Sequence, residues 1–326
     1  MTVNENSKPL LTVKGLKQYF KVSNNYTVHA VENVSFQIYP GETYGLVGES
    51  GSGKSTIGRS IIRLYDPTAG EINFNGMDIS GRINKANSQA LRTQMQMIFQ
   101  DPYSSLNPRM SVYDTIAEML RVHKVVPAEE LPARVEQLLT MSGLTMDIAE
   151  RFPGEFSGGQ RQRIGIARAI ALQPDLIVCD EPVSALDVSV QSQVLNLLKD
   201  LQKQYGLTYL FIGHDLSVIN FIADRVCVMF LGHVCEVATK EELYSRPMHP
   251  YTAFLMDAIP QADPHRRNQH RRVLMGEVPS PVNLPSGCCF HTRCPYATER
   301  CRTEVPELRE WDGRMVACHR AGENWD

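Results

Sequence analysis

The stretch Gly48-Glu49-Ser50-Gly51-Ser52-Gly53-Lys54-Ser55-Thr56 decides the fold, because it fits the pattern G-x-x-x-x-G-K-[ST] between an apolar run and a helical pattern. The apolar run at 43–47 predicts a buried strand, and apolar residues at helical spacing predict a helix over residues 56–65. The glycines then form a strand-to-helix turn whose backbone N–H groups bind phosphate. Lys54 adds a positive charge for the β- and γ-phosphates, and Ser55 offers a hydroxyl to Mg²⁺. We expect all residues of the stretch to contact a nucleotide.

Length and composition bound the class of protein. The chain has 326 residues, 43% hydrophobic and 21% charged, which predicts one large domain and a smaller appendage. No run approaches the roughly 18 apolar residues of a membrane helix, and the polar N-terminus lacks a secretory signal, so we expect a cytosolic chain that meets a membrane through a partner. A net charge of -3 argues against nucleic acid as a partner. The arginine cluster at 266–272 is interpreted as part of a solvated linker.

Polar side chains end three predicted strands. Gln100 follows the strand at 95–99, Asp180 and Glu181 end the apolar run at 176–181, and His214 follows the strand at 208–213. Parallel strands deliver their carboxyl ends to one crevice. We therefore expect Asp180, with Gln100 and Ser55, to hold Mg²⁺. Glu181 is expected to polarise the attacking water, and His214 to contact the γ-phosphate rather than to be structural.

A second anion site is predicted at residues 156–160, Phe-Ser-Gly-Gly-Gln, where Ser157 would cap a helix starting near residue 161. The region from about 101 to 172 is otherwise predicted as a helical insertion. Tyr19 and Phe20 end the first predicted strand, where an aromatic ring could stack on adenine or be an ordinary core residue.

The cysteines are unevenly distributed. Cys179, Cys227 and Cys235 lie in apolar runs and are interpreted as core residues. The other five crowd the last forty residues, which indicates separate chemistry there: Cys288, Cys289, Cys294, Cys301 and Cys318. Because this tail lies outside the nucleotide motifs, Cys294→Ser is expected to destabilise the tail or the assembly while leaving nucleotide affinity largely unchanged.

Taken in order, the segments GESGSGKST, Gln100, FSGGQ, LIVCDEP, SALD and His214 resemble the ATP-binding subunit of an ABC transporter over residues 8–250. The resemblance implies an α/β P-loop NTPase with a mixed core sheet, an antiparallel β subdomain and a helical subdomain, followed by a small Cys-containing extension at 251–326. It also implies a head-to-tail pair, in which one chain's signature closes over ATP held by the other. The signature here is Phe156, Ser157, Gly158, Gly159 and Gln160, with phenylalanine in place of the commoner leucine; the D-loop is Ser184, Ala185, Leu186 and Asp187.

Three further features resemble the oligopeptide and dipeptide importers: the loop at 100–110, the segment at 249–252 and the cysteine-containing tail. The sequence DPYSSLNP resembles the F-type subunit. This resemblance implies a D-type ATPase partner, two membrane permeases and an external peptide-binding protein. It also implies a peripheral location on the cytoplasmic face of the inner membrane. Close relatives carry nickel, glutathione and other solutes, so peptide import is one of several transport reactions that the resemblance allows.

Some relatives hold an iron–sulfur cluster with the tail cysteines, which by resemblance would be a [4Fe-4S] cluster on Cys288, Cys294, Cys301 and Cys318. Cys289 is an extra cysteine. The spacings resemble no common zinc finger, yet zinc would accept the same ligands, and His291 or His319 could replace one of them. Reduced structural thiols are the third alternative.

Two other classes of function compete with transport. A soluble ABC ATPase acting on DNA or ribosomes would usually carry two ATP-binding domains or a long coiled-coil insertion. This sequence shows one G-x-x-x-x-G-K-[ST] motif and about eighty residues after the ATP-binding domain. A P-loop kinase would have no need for FSGGQ. The sequence therefore favours an importer ATPase.

Overall fold

Two β-sheets and a set of packed helices make up the computed structural model, which describes residues 8–23, 26–259, 276–323 and 325. The arginine cluster at 266–272 lies outside these ranges. The strands are β1 (Leu11–Ser23), β2 (Tyr26–Ile38), β3 (Thr43–Val47), β4 (Ala69–Phe74), β5 (Met77–Asp78), β6 (Met95–Ile98), β7 (Leu176–Asp180), β8 (Thr208–Gly213), β9 (Arg225–Phe230), β10 (His233–Thr239), β11 (Arg309–Trp311) and β12 (Arg314–Val316). The helices are α1 (Lys54–Ile61), α2 (Lys85–Gln94), α3 (Val112–Val122), α4 (Leu131–Met141), α5 (Gly158–Ile170), α6 (Val188–Tyr205), α7 (Leu216–Ile222), α8 (Lys240–Ser245), α9 (Pro250–Asp257) and α10 (Glu299–Thr303).

The larger sheet has the strand order β11-β12-β10-β9-β3-β8-β7-β6. Its strands β9, β3, β8, β7 and β6 are parallel, and β10, β12 and β11 continue it in antiparallel fashion. Every residue of β3, β7 and β8 is buried, which explains why these strands are apolar runs rather than alternating patterns. The predicted mixed core sheet is confirmed, and the carboxyl ends of β3, β6, β7 and β8 lie at one edge of it.

The smaller sheet, in the order β2-β1-β4-β5, is antiparallel throughout. Buried residues of β1 such as Leu11 and Leu16 share a core cluster with Ile57 and Ile61 of α1. This packing places the antiparallel sheet against the helix that begins at the glycine-rich turn.

Helices α3, α4 and α5 pack on one another, as the predicted helical insertion at about 101–172 requires. Ile116, Leu138 and Ile164 are completely buried in their shared core. Ser111 caps α3 by accepting a hydrogen bond from the Asp114 amide. The limits of the helical subdomain, and the division of the chain at residue 250, stay predictions. None of the helices in the described ranges combines the length and apolar character needed to cross a bilayer.

The two functionally important helices begin earlier than their sequences suggest. Helix α1 starts at Lys54 rather than at 56, because Gly53 takes a left-handed conformation (φ 95°) and leads directly into the first turn. Helix α5 starts at Gly158 rather than near 161. Ser157 accepts a hydrogen bond from the Gln160 amide, and the Gln160 side chain accepts one from the Ser157 amide, which forms a capping box.

The C-terminal tail is joined to the larger sheet. Strand β12 pairs with β10 through Glu236 and Val316, and β11 pairs with β12. The buried Glu236 carboxylate accepts hydrogen bonds from the amides of Met248 (3.0 Å) and His249 (2.9 Å), and Arg314 lies 3.7 Å away. Burial raises the pKa of Glu236, while these amides and Arg314 oppose the shift. The segment before α9 and the end of the tail are thus held by one strand.

Helix α5 packs closely on the start of α6. A Cβ atom added to Gly159 would lie 2.3 Å from Cγ1 of Val190, and one added to Gly158 would lie 3.3 Å from Leu186. A Cβ atom on Gly165, further along the same helix, would meet no atom within 4 Å. Only the first turn of α5 therefore depends on the absence of side chains.

This contrast gives a test of the packing. We expect Gly159→Ala to lower the free energy of unfolding by about 1–3 kcal/mol, because α5 and α6 must separate to admit the methyl group. Gly165→Ala should raise it by about 0.5–1 kcal/mol, since alanine favours the helix and the methyl group enters open space. Urea unfolding of the two variants beside the wild type measures both effects. Equal shifts in one direction would contradict the described packing.

Candidate nucleotide-binding site

The turn between β3 and α1 forms a cradle, defined as residues 48–56. A Cβ atom on Gly48 would lie 2.1 Å from the Met229 carbonyl oxygen, and one on Gly53 would lie 2.2 Å from the Ala30 carbonyl oxygen. Gly51 has a positive φ of 78° and open space around it. The neighbouring strands β2 and β9 therefore pack closely against Gly48 and Gly53, whereas the space around Gly51 is open to a ligand.

Lys54 is buried at the base of the cradle. Its Nζ donates to the carbonyl oxygens of Gly48 (2.8 Å) and Glu49 (2.9 Å) and to Oγ of Ser52 (3.2 Å). Burial lowers the pKa of Lys54, and the charges of nearby Glu181, Asp180 and Glu49 oppose the shift. All three acceptors are neutral, so the positive charge is available to an anion. The first turn of α1 directs its backbone N–H groups the same way.

Ser55 and Asp180 come together as expected for a Mg²⁺ site. Ser55 Oγ donates to Oδ1 of the fully buried Asp180 at 2.6 Å, and Nη2 of Arg59 lies 3.3 Å from Oδ2. A hydroxyl next to a carboxylate is a donor set of the kind that Mg²⁺ accepts. These residues fit the ion, although the described residues include no group of three or more His, Cys, Asp or Glu side chains arranged to hold a metal.

Glu181 is the point where three strand ends converge. Its Oε2 accepts a hydrogen bond from Nε2 of Gln100 at 3.0 Å and lies 3.2 Å from Nδ1 of His214. The three residues follow β6, β7 and β8, as the sequence predicted. Glu181 has a φ of 47°, a left-handed conformation that is uncommon for a residue with a side chain. Its amide donates to the Ile212 carbonyl at 3.0 Å, which holds the turn in place.

These residues enclose a cleft of about 590 Å³. Lys54, Ser55, Gln100, Glu181 and His214 line it together with most of the cradle and with Leu255 of α9. Leu255 was not expected from the sequence, because nothing in an apolar helix 200 residues from the cradle signals contact with it.

The tail also reaches the cradle. Arg293 donates to the Glu49 carboxylate, and the Tyr251 hydroxyl accepts the Glu49 amide hydrogen. The tail thus contacts the nucleotide motif, while the expectation that Cys294→Ser leaves nucleotide affinity largely unchanged stays a prediction. The segment at 249–252 resembles the importer family in sequence, but no pattern near it predicts its contact with Glu49.

The signature residues 156–160 and the D-loop residues 184–187 are close in the fold, since a Cβ atom added to Gly158 would lie 3.3 Å from Leu186. Phe156 is buried, and the Arg151 guanidinium lies over its ring, 4.6 Å from the ring centre. Ser157 is exposed. Asp187 caps α6 by accepting the Val190 amide, and hydrogen bonds from Ser189 and Val190 lower the pKa of Asp187. Neither segment lines the cleft of this chain. Both therefore leave exposed polar groups for another molecule.

Tyr19 and Phe20 lie on β1 and are half-buried. The Tyr19 ring lies at a tilt against the His29 ring, with the ring centres 4.3 Å apart, and the Tyr19 hydroxyl donates to Glu32. Phe20 packs edge-on against Tyr65 at 5.2 Å. Neither ring lines the cleft formed by the cradle.

Four tail cysteines line one small cavity of about 20 Å³: Cys288, Cys294, Cys301 and Cys318. His291 and His319 line it as well. Burial raises the pKa of Cys294 to about 11 and that of Cys318 to about 12, so these thiols are neutral near pH 7. The extra Cys289 faces elsewhere, with its Sγ 3.7 Å from the Phe230 carbonyl. The four thiols share a cavity, but neither they nor any other His, Cys, Asp or Glu side chains of the described residues form a group of three or more that could hold a metal ion.

Comparisons with known sequences show the family of this chain. The ABC transporter family matches residues 31–184, and the oligopeptide/dipeptide transporter C-terminal region matches residues 235–301. The putative oligopeptide transport ATP-binding protein YkfD of Bacillus subtilis is 52% identical over 314 residues, which cover 95% of each chain. A putative peptide import ATP-binding protein of Brucella ovis is 52% identical over 313 residues, covering 96% of this chain and 98% of the relative.

Two solved structures share the fold. The ATP-binding cassette MJ0796, in a dimeric post-hydrolysis state with ADP and Pi, has a TM-score of 0.65 and 29% identity, covering 71% of this chain and 98% of the cassette. CbiO1 of Clostridium perfringens, part of a CbiONQ transporter complex, also has a TM-score of 0.65, with 27% identity and coverage of 74% and 92%. The chain is therefore an ATPase that belongs to the ATP-binding subunits of ABC transporters, in the branch that carries the oligopeptide/dipeptide transporter C-terminal region.

Proposed function

We propose that this subunit binds and hydrolyses ATP to power the import of di- and oligopeptides through a membrane ABC transporter. The observation that carries the ATPase mechanism is the convergence of Gln100 and His214 on Glu181 beside the cradle. Support for peptides comes from the matched C-terminal region and from relatives named for oligopeptide transport and peptide import.

In this proposal the whole cradle, residues 48–56, holds the phosphates. The turn directs backbone N–H groups towards the cleft, and Lys54 turns from its carbonyl partners to the β- and γ-phosphates. Ser55, Asp180 and Gln100 would hold Mg²⁺, which when bound neutralises charge on the phosphates. Tyr19 and Phe20 are candidates for the adenine contact, because an aromatic ring in this part of β1 could stack on a base.

Glu181 acts as the base that accepts a proton from the attacking water. Gln100 and His214 both contact Oε2, so they orient the carboxylate, and we assign Oε1 as the oxygen that takes the proton. His214 is also placed at the edge of the cleft, where it can contact the γ-phosphate. The burial of Asp180 and the closeness of Glu181 to Lys54 keep these charges in a partly desolvated site, where they act strongly.

We further infer that two ATPase subunits pack head to tail. Ser157 is exposed, and neither it nor the helix that it caps lines this chain's own cleft, which suits them to the ATP of a partner. The dimeric state of the related cassette MJ0796 supports this arrangement. By resemblance the partner is a D-type subunit, and the D-loop residues 184–187 lie between the two sites.

The remaining partners are two permeases and an external peptide-binding protein, which place the subunit on the cytoplasmic face of the membrane. The loop at 100–110 would receive the permease. It starts at Gln100, which contacts Glu181, and Arg168 of α5 donates to the Ser105 carbonyl at 2.6 Å. The loop thus contacts both Glu181, the proposed base, and helix α5, which begins in the signature.

We also propose that Cys288, Cys294, Cys301 and Cys318 hold a metal centre, a [4Fe-4S] cluster in preference to zinc. Four sulfur ligands around one cavity suit either, and the preference for iron–sulfur is based on family resemblance. Binding would displace the thiol protons that burial now favours, so the site must reorganise when it is loaded.

The first prediction separates binding from chemistry. Lys54→Ala should weaken ATP binding by about a hundredfold, because the cradle loses its charged donor. Glu181→Gln should keep binding but reduce turnover by roughly 10²–10⁴-fold, because the amide cannot accept the proton. Binding is measured on the full chain and turnover on the assembled transporter, with the exposed Lys203→Ala as control. Undiminished turnover in Glu181→Gln would remove Glu181 from the role of base.

The second prediction tests the head-to-tail arrangement. Ser157→Arg should leave ATP binding by this chain intact and lower turnover of the assembled complex by about a hundredfold, since bulk and positive charge enter the partner's site. Ser245→Arg, at the exposed end of α8, is the matched control. Normal turnover at both sites of the Ser157→Arg complex would contradict the arrangement.

The third prediction concerns the tail. Anaerobically purified protein should contain iron and sulfide and absorb visible light, and Cys294→Ser should lose them and destabilise the tail. Cys289→Ser should keep the metal, because its side chain does not line the cavity. Colourless protein that contains neither iron nor zinc would rule out the metal centre.

A further inference from the structure

The carboxylate of Glu49, inside the cradle, is held by an arginine of the tail. Nη1 of Arg293 lies 2.7 Å from Oε2 of Glu49, and Nη2 lies 3.4 Å from Oε1, so the contact is bidentate. The Arg293 side chain is only 7% exposed and that of Glu49 is 27% exposed. Such a shielded ion pair is stronger than one on an open surface.

Arg293 is held in place by its surroundings. Its amide donates to the Phe290 carbonyl at 3.0 Å, and its guanidinium lies 5.8 Å from the ring centre of Phe230. Phe290 packs edge-on against Phe230 at 5.3 Å and lies 5.2 Å from the Tyr251 ring. These buried aromatic side chains fix the turn that carries Arg293.

The backbone of Glu49 is held as well. Its amide donates to the hydroxyl of the completely buried Tyr251 at 3.0 Å, and its carbonyl accepts a hydrogen bond from Lys54 at 2.9 Å. Helix α9 therefore contacts the amide of Glu49 and the tail contacts its side chain, while the Glu49 carbonyl accepts a hydrogen bond from Lys54.

The charges explain why this contact matters to a nucleotide. Glu49 lines the cleft that Lys54 serves, and Glu181 adds a second negative charge. An unpaired Glu49 carboxylate would repel a triphosphate and attract the ammonium group of Lys54. Arg293 cancels this charge from outside the cleft, because it pairs with Glu49 without lining the cleft itself.

We infer that Arg293 is a positioning residue of the ATP site, which neutralises Glu49 and fixes the first turn of the cradle. The inference rests on the proposed function, in which residues 48–56 hold the phosphates. It makes the tail a part of the nucleotide site. The competing explanation is that the ion pair only attaches the tail to the cassette.

A double-mutant cycle on the full chain distinguishes the two. Mg-ATP affinity is measured by calorimetry for the wild type, R293Q, E49Q and the double variant. We expect R293Q to weaken binding about tenfold when Glu49 is present and less than about twofold when residue 49 is already neutral, a coupling of the size found for contacting charged residues. R293Q effects of equal size in both backgrounds, or no effect in either, would overturn the inference.

Controls keep the outcome unambiguous. R300Q makes the same change on α10, where Arg300 pairs with Glu304 and its side chain is 60% exposed, and it should bind ATP like the wild type. R293K keeps the charge, so it should lose less affinity than R293Q even if R293Q unfolds the tail, and an equal loss would overturn the inference. If Lys54→Ala also binds normally, the proposed cradle itself fails, whereas a loss there beside an unaffected R293Q refutes only the role of Arg293.

Discussion

Parallel pairing of β3 with β8, and of β8 with β7, is the constraint on which the site depends. The pairs Val47 with Gly213 and Asp180 with Ile212 bring the strands to an end at the same level. Each strand is completely buried, so a shift in register would expose apolar residues and misplace polar ones. The cradle, Glu181 and His214 follow these ends directly. Burial of the sheet therefore fixes the positions of the residues to which we assign the chemistry.

The cleft balances opposite charges at short range. Asp180 is shared between Ser55 and Arg59, and Glu181 is held by an amide and an imidazole rather than by a lysine or arginine. The Glu181 carboxylate thus keeps acceptor capacity, whereas the fully buried Asp180 is held by two residues of the helix that follows the cradle. The different roles that we propose for these adjacent acids follow from their different neighbours.

Features encoded within a few residues could be predicted from the sequence. The strand–turn–helix around Lys54, the strand ends at Gln100, Glu181 and His214, and the cap at Ser157 each have a local pattern. The apolar pattern predicts the starts of α1 and α5 a few residues late, because glycine contributes nothing to that pattern. Helix α1 begins after the left-handed Gly53, and α5 begins at Gly158 after the Ser157 cap. The grouping of the tail cysteines was also indicated by their spacing along the chain.

Contacts between distant segments had no such signal. Glu49 and Arg293 are 244 residues apart, and each belongs to a motif that explains it without the other. Leu255 lines the cleft from a short apolar helix whose pattern indicates only burial. Which buried surfaces meet is decided by the whole fold, so the attachment of the tail to the cradle emerged only in three dimensions.

The pairing of β12 with β10 affects the tendency of the protein to aggregate. Four of the seven residues of β10 are buried and the other three are partly buried, and β12 pairs with the strand along part of its length. A chain ending near residue 250 would present β10 as an unprotected apolar edge, which is a template for pairing with strands of other molecules. The tail thus protects the protein against aggregation, and a chain truncated near residue 250 would be prone to self-association.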